Sequence, residues 1–138
     1  MQGVKGAARI IDFLRNWARS YNAWVMVADS KGEPNNGPFT VDEPAITVDA
    51  DTLAVTYSFE YYMYGQFMKF IQRGGVRIDS GAIEPKLSNV AFKNPGHTLV
   101  LVLANLDKKP REVKISDGTM AFEANVPAES VCTYQWRQ

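Results

Sequence analysis

Asp29 is the one acidic side chain that the sequence places where catalytic carboxylates commonly sit. It directly follows the apolar run Ala23-Trp24-Val25-Met26-Val27-Ala28. Hydrolysis by a carboxylate pair needs two such groups about 5 Å apart, one acting as acid/base and one as nucleophile. The other acids cluster in loops, and no second one falls on an adjacent buried strand end. The simpler role for Asp29 is to hold the turn-rich loop behind it. Ser88 and Ser130 have no histidine near them in sequence, and His97, the single histidine, falls in a turn. Cys132 lies in the alternating segment Val131-Cys132-Thr133-Tyr134, the pattern of a packed thiol rather than a nucleophile. Spacings for a phosphate loop, a dinucleotide fingerprint or a zinc site are absent from the sequence. The residues therefore yield no catalytic set, no metal site and no cofactor.

Aromatic side chains carry the remaining signal, at 12% of the chain. Phe59, Tyr61, Tyr62, Tyr64, Phe67 and Phe70 fall mostly on one expected helix, where core packing explains them. Trp24 differs, because it precedes a long loop at a strand end. An indole there packs in the core or stacks on a ring-shaped ligand.

The elements that would position these residues follow from periodicity. Ile10, Phe13, Leu14, Trp17, Ala18 and Tyr21 mark one helical face, with Ser20-Tyr21-Asn22 ending the helix. The unbroken apolar run 23–28 predicts a strand buried on both sides. Short strands are expected at 45–48 and 53–57. A second helix carries Phe59, Tyr62, Met63, Phe67, Phe70 and Ile71 on one face, and Gly74-Gly75 stops it. Beyond Gly75 the period becomes two. Strands are expected at 76–80, 90–93, 99–105, 112–116, 120–125 and 131–136, with a tight hairpin at Asp117-Gly118. Strands at such short intervals predict an antiparallel sandwich. The all-apolar Leu99-Val100-Leu101-Val102-Leu103 belongs at its centre.

The chain has 138 residues, enough for one cored domain and too few for a complete barrel enzyme of ~250 residues. Lys+Arg and Asp+Glu balance at 15 each. That balance does not fit a nucleic-acid binder. No apolar stretch approaches the ~20 residues of a membrane span. Charge is uneven: residues 1–31 carry +3, 32–60 carry −6 and 61–138 carry +3. The acidic middle, with Pro34, Gly37, Pro38 and Pro44, reads as a connector between two differently built parts. One cysteine leaves the compartment unread.

Three stretches resemble the C-terminal end of glycoside hydrolase family 30, which includes glucosylceramidases, β-1,6-glucanases and some xylanases. Trp17-Ala18-Arg19-Ser20-Tyr21-Asn22-Ala23-Trp24-Val25, running into Gly32-Glu33-Pro34-Asn35, resembles the family's last barrel strand and its Gly-x-Pro-Asn loop. Tyr62-Met63-Tyr64-Gly65-Gln66-Phe67-Met68-Lys69-Phe70-Ile71, then Gly74 and Arg77-Ile78, resembles its Tyr-x-x-Gly-x-Phe-x-Lys-Phe-Ile helix. Thr133-Tyr134-Gln135-Trp136 is similar to its Thr-Tyr-x-Trp ending, and Ala91-Phe92-Lys93-Asn94-Pro95 fits a further segment.

The resemblance implies a mainly β fold. An antiparallel β-sandwich of Greek-key type would carry an N-terminal helix and strand left from a (β/α)8 barrel, and one further helix. Residues 1–38 would be the closing helix, strand and loop of the barrel, and 39–138 the sandwich domain, including helix 59–72. The family's two catalytic glutamates would lie upstream, in a parent acting on β-glycosides and suited to secretion or the periplasm. Trp24 matches a tryptophan lining the sugar pocket, and Tyr21 and Asn35 are placed beside it as substrate contacts. Val25 stands where glucosylceramidases have asparagine, and the loop Asn36-Gly37-Pro38-Phe39 is shorter. Both departures favour a glucanase over a ceramide-lipid hydrolase. The competing reading is a stand-alone carbohydrate-binding sandwich. Without a barrel, the face Ile10, Phe13, Leu14, Trp17 and the strand at 24–27 would lie uncovered, so a homo-oligomer is expected.

Overall fold

The computed structural model describes residues 3–34, 44–82 and 84–138. Two helices, α1 (Val4–Arg15) and α2 (Phe59–Met68), accompany nine strands. Strands β1 (Val27–Asp29), β2 (Ile46–Val48) and β3 (Val55–Tyr57) form a small sheet, parallel between β1 and β2 and antiparallel between β2 and β3. Strands β4 (Val76–Ile78), β5 (Leu87–Lys93), β6 (Thr98–Asn105) and β9 (Ser130–Arg137) form an antiparallel sheet in the order β4-β5-β6-β9. Strands β7 (Arg111–Ser116) and β8 (Ala121–Val126) pair as a hairpin. The fold is thus mainly β, with an antiparallel sandwich and two helices, as the sequence pattern predicts. Among the described residues no helix is long and apolar enough to cross a membrane.

The central strand explains the layering. Val100, Val102 and Ala104 of β6 join Val90 and Phe92 of β5 in a cluster completed by Ala7, Ile10 and Ile11 of α1 and Met63 and Phe67 of α2. Leu101 and Leu103 point the other way and join Ala91, Ile115 and Val126 beneath the hairpin. Side chains alternate across a strand. A strand covered on both faces must therefore be apolar at every position, which is why β6 lacks the polar alternation of its neighbours.

Polar ties fix these layers. Asn105 is fully buried at the end of β6. Its Nδ2 donates to the carbonyls of Lys109, Val126 and Pro127, and its Oδ1 accepts from the Asp107 N–H. Asn94 joins the end of α2 to the sheet: Nδ2 donates to the Phe70 carbonyl and Oδ1 accepts from the Gln72 N–H. A Cβ at Gly75 would come within 2.9 Å of that Oδ1, so the close approach requires glycine. Arg15, the last residue of α1, donates to Ser80 Oγ, Asn89 Oδ1 and the carbonyls of Asn89 and Gly81, clamping the helix to the sheet.

Both helices are shorter than their periodicity suggests. Helix α1 stops at Arg15 because Trp17 adopts a left-handed φ of 68°. The Trp17 N–H then donates to the Leu14 carbonyl and the Ala18 N–H to the Phe13 carbonyl. That pair is a Schellman closure, normally signalled by glycine, so the sequence hides it. The inward face is Ala7, Ile10, Ile11 and Leu14. Phe13 and Trp17, expected on that face, are exposed. The helix folds back onto β5 and β6 rather than lying uncovered. Helix α2 turns Glu60, Met63 and Phe67 inward and leaves Tyr62 outside. The run 23–28 is not a doubly buried strand. Only 27–29 is strand, and Trp24, Met26 and Val27 are exposed, because among the described residues β1 has a partner along one edge alone and only its Ala28 side is covered. The turn at Asp117-Gly118 is four residues long, 117–120, rather than two.

Asp117 organises that turn. Its Oδ1 accepts from the Thr119 and Met120 N–H groups and from Thr119 Oγ1, and its Oδ2 accepts from Trp136 Nε1 at 2.9 Å. The Met120 and Thr119 donors, with the Trp136 indole, hold the carboxyl far below the usual carboxylate range. A carboxyl whose pKa is lower in the folded protein stabilises the fold fully above its unfolded pKa of about 3.9, and loses that contribution as pH falls below it. Thermal melts should therefore show Asp117→Asn less stable than wild type at about pH 6, with the gap closing toward pH 2. A gap that persists at low pH contradicts this. Asn105→Ala should cost on the order of 2–4 kcal/mol in urea unfolding, because it strands several buried polar groups. The exposed Asn125→Ala should stay within about 0.5 kcal/mol.

Candidate saccharide-facing cleft

Tyr21 and Trp24 are brought together. The segment 21–25 between α1 and β1, with Ala45, Glu60 and Tyr64, lines a cleft of about 120 Å³. Glu60 and Tyr64 lie four residues apart on α2 and so share one helix face. Trp24 is 83% exposed at this cleft, and the Trp24–Val25 peptide is cis. Tyr21 is half-buried, its ring 6.3 Å from that of Tyr64. Asn35 lies outside the described residues.

The electrostatics of the cleft come from Glu60 and two phenols. Glu60 is buried, and its Oε1 accepts from the Gly3 N–H at 3.3 Å. Burial pushes the Tyr64 phenol up, with the nearby Tyr21 and Glu60 and a hydrogen bond between the two phenols adding to the effect. Tyr64 is therefore a neutral hydroxyl at physiological pH. An exposed indole beside phenol hydroxyls and a carboxyl side chain suits a ring with an apolar C–H face and polar edges.

Asp29 takes the loop-holding role. Its Oδ1 accepts from the N–H groups of Lys31 and Glu33, both at 2.8 Å. These backbone donors, Glu33 first, hold its carboxyl below the ordinary value. Among the described residues no group of three His, Cys, Asp or Glu side chains could hold a metal ion. Sequence reasoning passed over Glu60 and counted Tyr64 among the core aromatics. The available signal was an acid at position 60 inside an otherwise aromatic helical run.

Comparison with known proteins bears on this arrangement. Residues 74–134 match the glycosyl hydrolase family 30 beta sandwich domain. That match supports a C-terminal region of glycoside hydrolase family 30. An endo-1,6-beta-D-glucanase of Neurospora crassa is 38% identical over 66 residues, 46% of this chain and 14% of that protein. The structure of the endo-β1,6-glucanase BT3312 superposes with a TM-score of 0.88 at 24% identity, over 98% of this chain and 31% of that one. SrfJ from Salmonella typhimurium gives a TM-score of 0.75 at 27% identity, over 82% of this chain and 25% of that one. The chain spans less than a third of the length of each of these relatives.

A spectrophotometric tyrosine titration tests the cleft's electrostatics. Tyr64→Phe should remove absorbance change from the part of the curve above about pH 10, the unperturbed phenol value. Loss of the early part instead contradicts the burial argument.

Proposed function

We propose that the chain is a non-catalytic part of a retaining β-glycosidase, bracing the barrel and supplying one wall of the sugar pocket. The observation that carries this reading is the 83% exposed Trp24, held beside Tyr21 in the segment that leads into β1. A large indole left in solvent loses its burial free energy unless a ligand covers it. Under this reading the two catalytic carboxylates come from polypeptide outside these residues. Among the described residues the one acidic side chain lining the Trp24 cleft, Glu60, already takes a backbone N–H.

The glucanase relatives make a β-1,6-linked glucan the first substrate to try. Division of the chain near residue 38 into a barrel-closing part and a sandwich part belongs to the same reading. The stand-alone module receives less support, because the aromatics of the hairpin face pack on one another. Phe122 lies 6.1 Å from Tyr134 and 5.6 Å from Trp136 between ring centres. The free edge of β1 and the exposed Met26 and Val27 support self-association of the isolated chain.

The isolated chain should release no reducing sugar from β-1,6-glucan, and hydrolysis of an aryl β-glucoside by it would overturn the non-catalytic reading. Titration with β-1,6-gluco-oligosaccharides should perturb the Trp24 indole. Trp24→Ala should weaken binding by roughly tenfold, the worth of one aromatic stack near 1.5 kcal/mol. Unchanged affinity would remove Trp24 from the pocket wall. Sedimentation should show dimers or larger species at high concentration, and a persistent monomer contradicts association through β1.

A further inference from the structure

Tyr21 and Tyr64 also line a second, larger space. A groove of about 810 Å³ runs between the end of α1, the end of α2 and edge strand β4. Its rim carries Arg19, Arg73 and Arg77, and none of its lining residues is acidic. Among the described residues none of the three arginines is ion-paired. Phe67 and Phe92 belong to its apolar floor, and both are buried.

Arg77 is the informative member. Its guanidinium lies 4.0 Å from the centre of the Trp17 ring. Trp17 reaches that position in the left-handed backbone region, at φ 68°, and remains 71% exposed. A residue other than glycine is held there only when its surroundings require it. Arg77 Nη1 makes a long 3.4 Å bond to the Ile78 carbonyl, and Nε is buried with no hydrogen-bond partner. A guanidinium matches an oxyanion better than any other donor group, because its N–H groups can bond it in pairs.

We propose that this groove binds an oxyanion borne on a ring: Arg77, Arg19 and Arg73 take the anionic group, and the ring lies over the apolar floor beside Trp17. The chemistry is that of a carboxylate, sulfate or phosphate ester on a cyclic body. The site needs no catalytic group and does not depend on the glycosidase reading.

The test is NMR titration of the full chain, following the Trp17 indole N–H, assigned with Trp17→Phe. Phenyl phosphate, phenyl sulfate and benzoate are the probes, and phenyl β-glucoside is the neutral control. At least one anionic probe should shift the Trp17 signal saturably, and the tightest identifies the preferred group. Arg19 and Arg73 are both exposed. Arg19→Gln/Arg73→Gln should therefore keep the fold by circular dichroism while weakening that probe by about tenfold or more, the effect expected when charge-assisted bonds are lost. Equal binding of the neutral glucoside overturns the proposal. So does undiminished affinity in the double variant, or the absence of any shift at Trp17.

Discussion

Double-sided burial of β6 is the constraint from which the rest of the architecture follows. Leu99 through Asn105 are all buried, alternating between a helical layer and a hairpin layer. Neither layer has a core of its own: α1 and α2 meet chiefly through the sheet, and the β7–β8 hairpin would be marginal alone. Asn105 closes one end of the strand by satisfying three carbonyls and one N–H. The sheet therefore sets the placement of α2, and α2 brings Glu60 and Tyr64 to the cleft beside Trp24.

A second consequence is the contrast between sheets. The four-stranded sheet is covered on both sides, whereas β1, β2 and β3 hold three residues each, with Val27, Val55 and Tyr57 exposed. Local stability follows buried apolar contact. Tyr21 and Trp24 thus hang from a stable body through a weakly covered segment. Arg15 limits that looseness, because its four hydrogen bonds fix the point at which the chain leaves α1 for Tyr21 and Trp24.

The sandwich was legible in the sequence because period-two alternation and the unbroken run at 99–103 report burial directly. Strands β5 to β9 fall within a few residues of their expected positions. The N-terminal part was less legible for two physical reasons. Trp17 occupies a backbone position that composition assigns to glycine, so α1 ends six residues early. The run at 23–28 has the composition of a doubly covered strand but has cover on little of it. Resemblance supplied Trp24 and Tyr21, which the fold does bring together. Glu60 escaped notice because a buried acid on an aromatic helix gives no periodic signal.

Amide hydrogen exchange of the chain with and without β-1,6-gluco-oligosaccharide tests the central claim most directly. The account predicts slow exchange in β5, β6 and β9 in both states, with ligand-induced protection confined to residues 20–28 and 60–64. Protection falling on the β7–β8 face, with 20–28 unchanged, would contradict it and point to a stand-alone binding module.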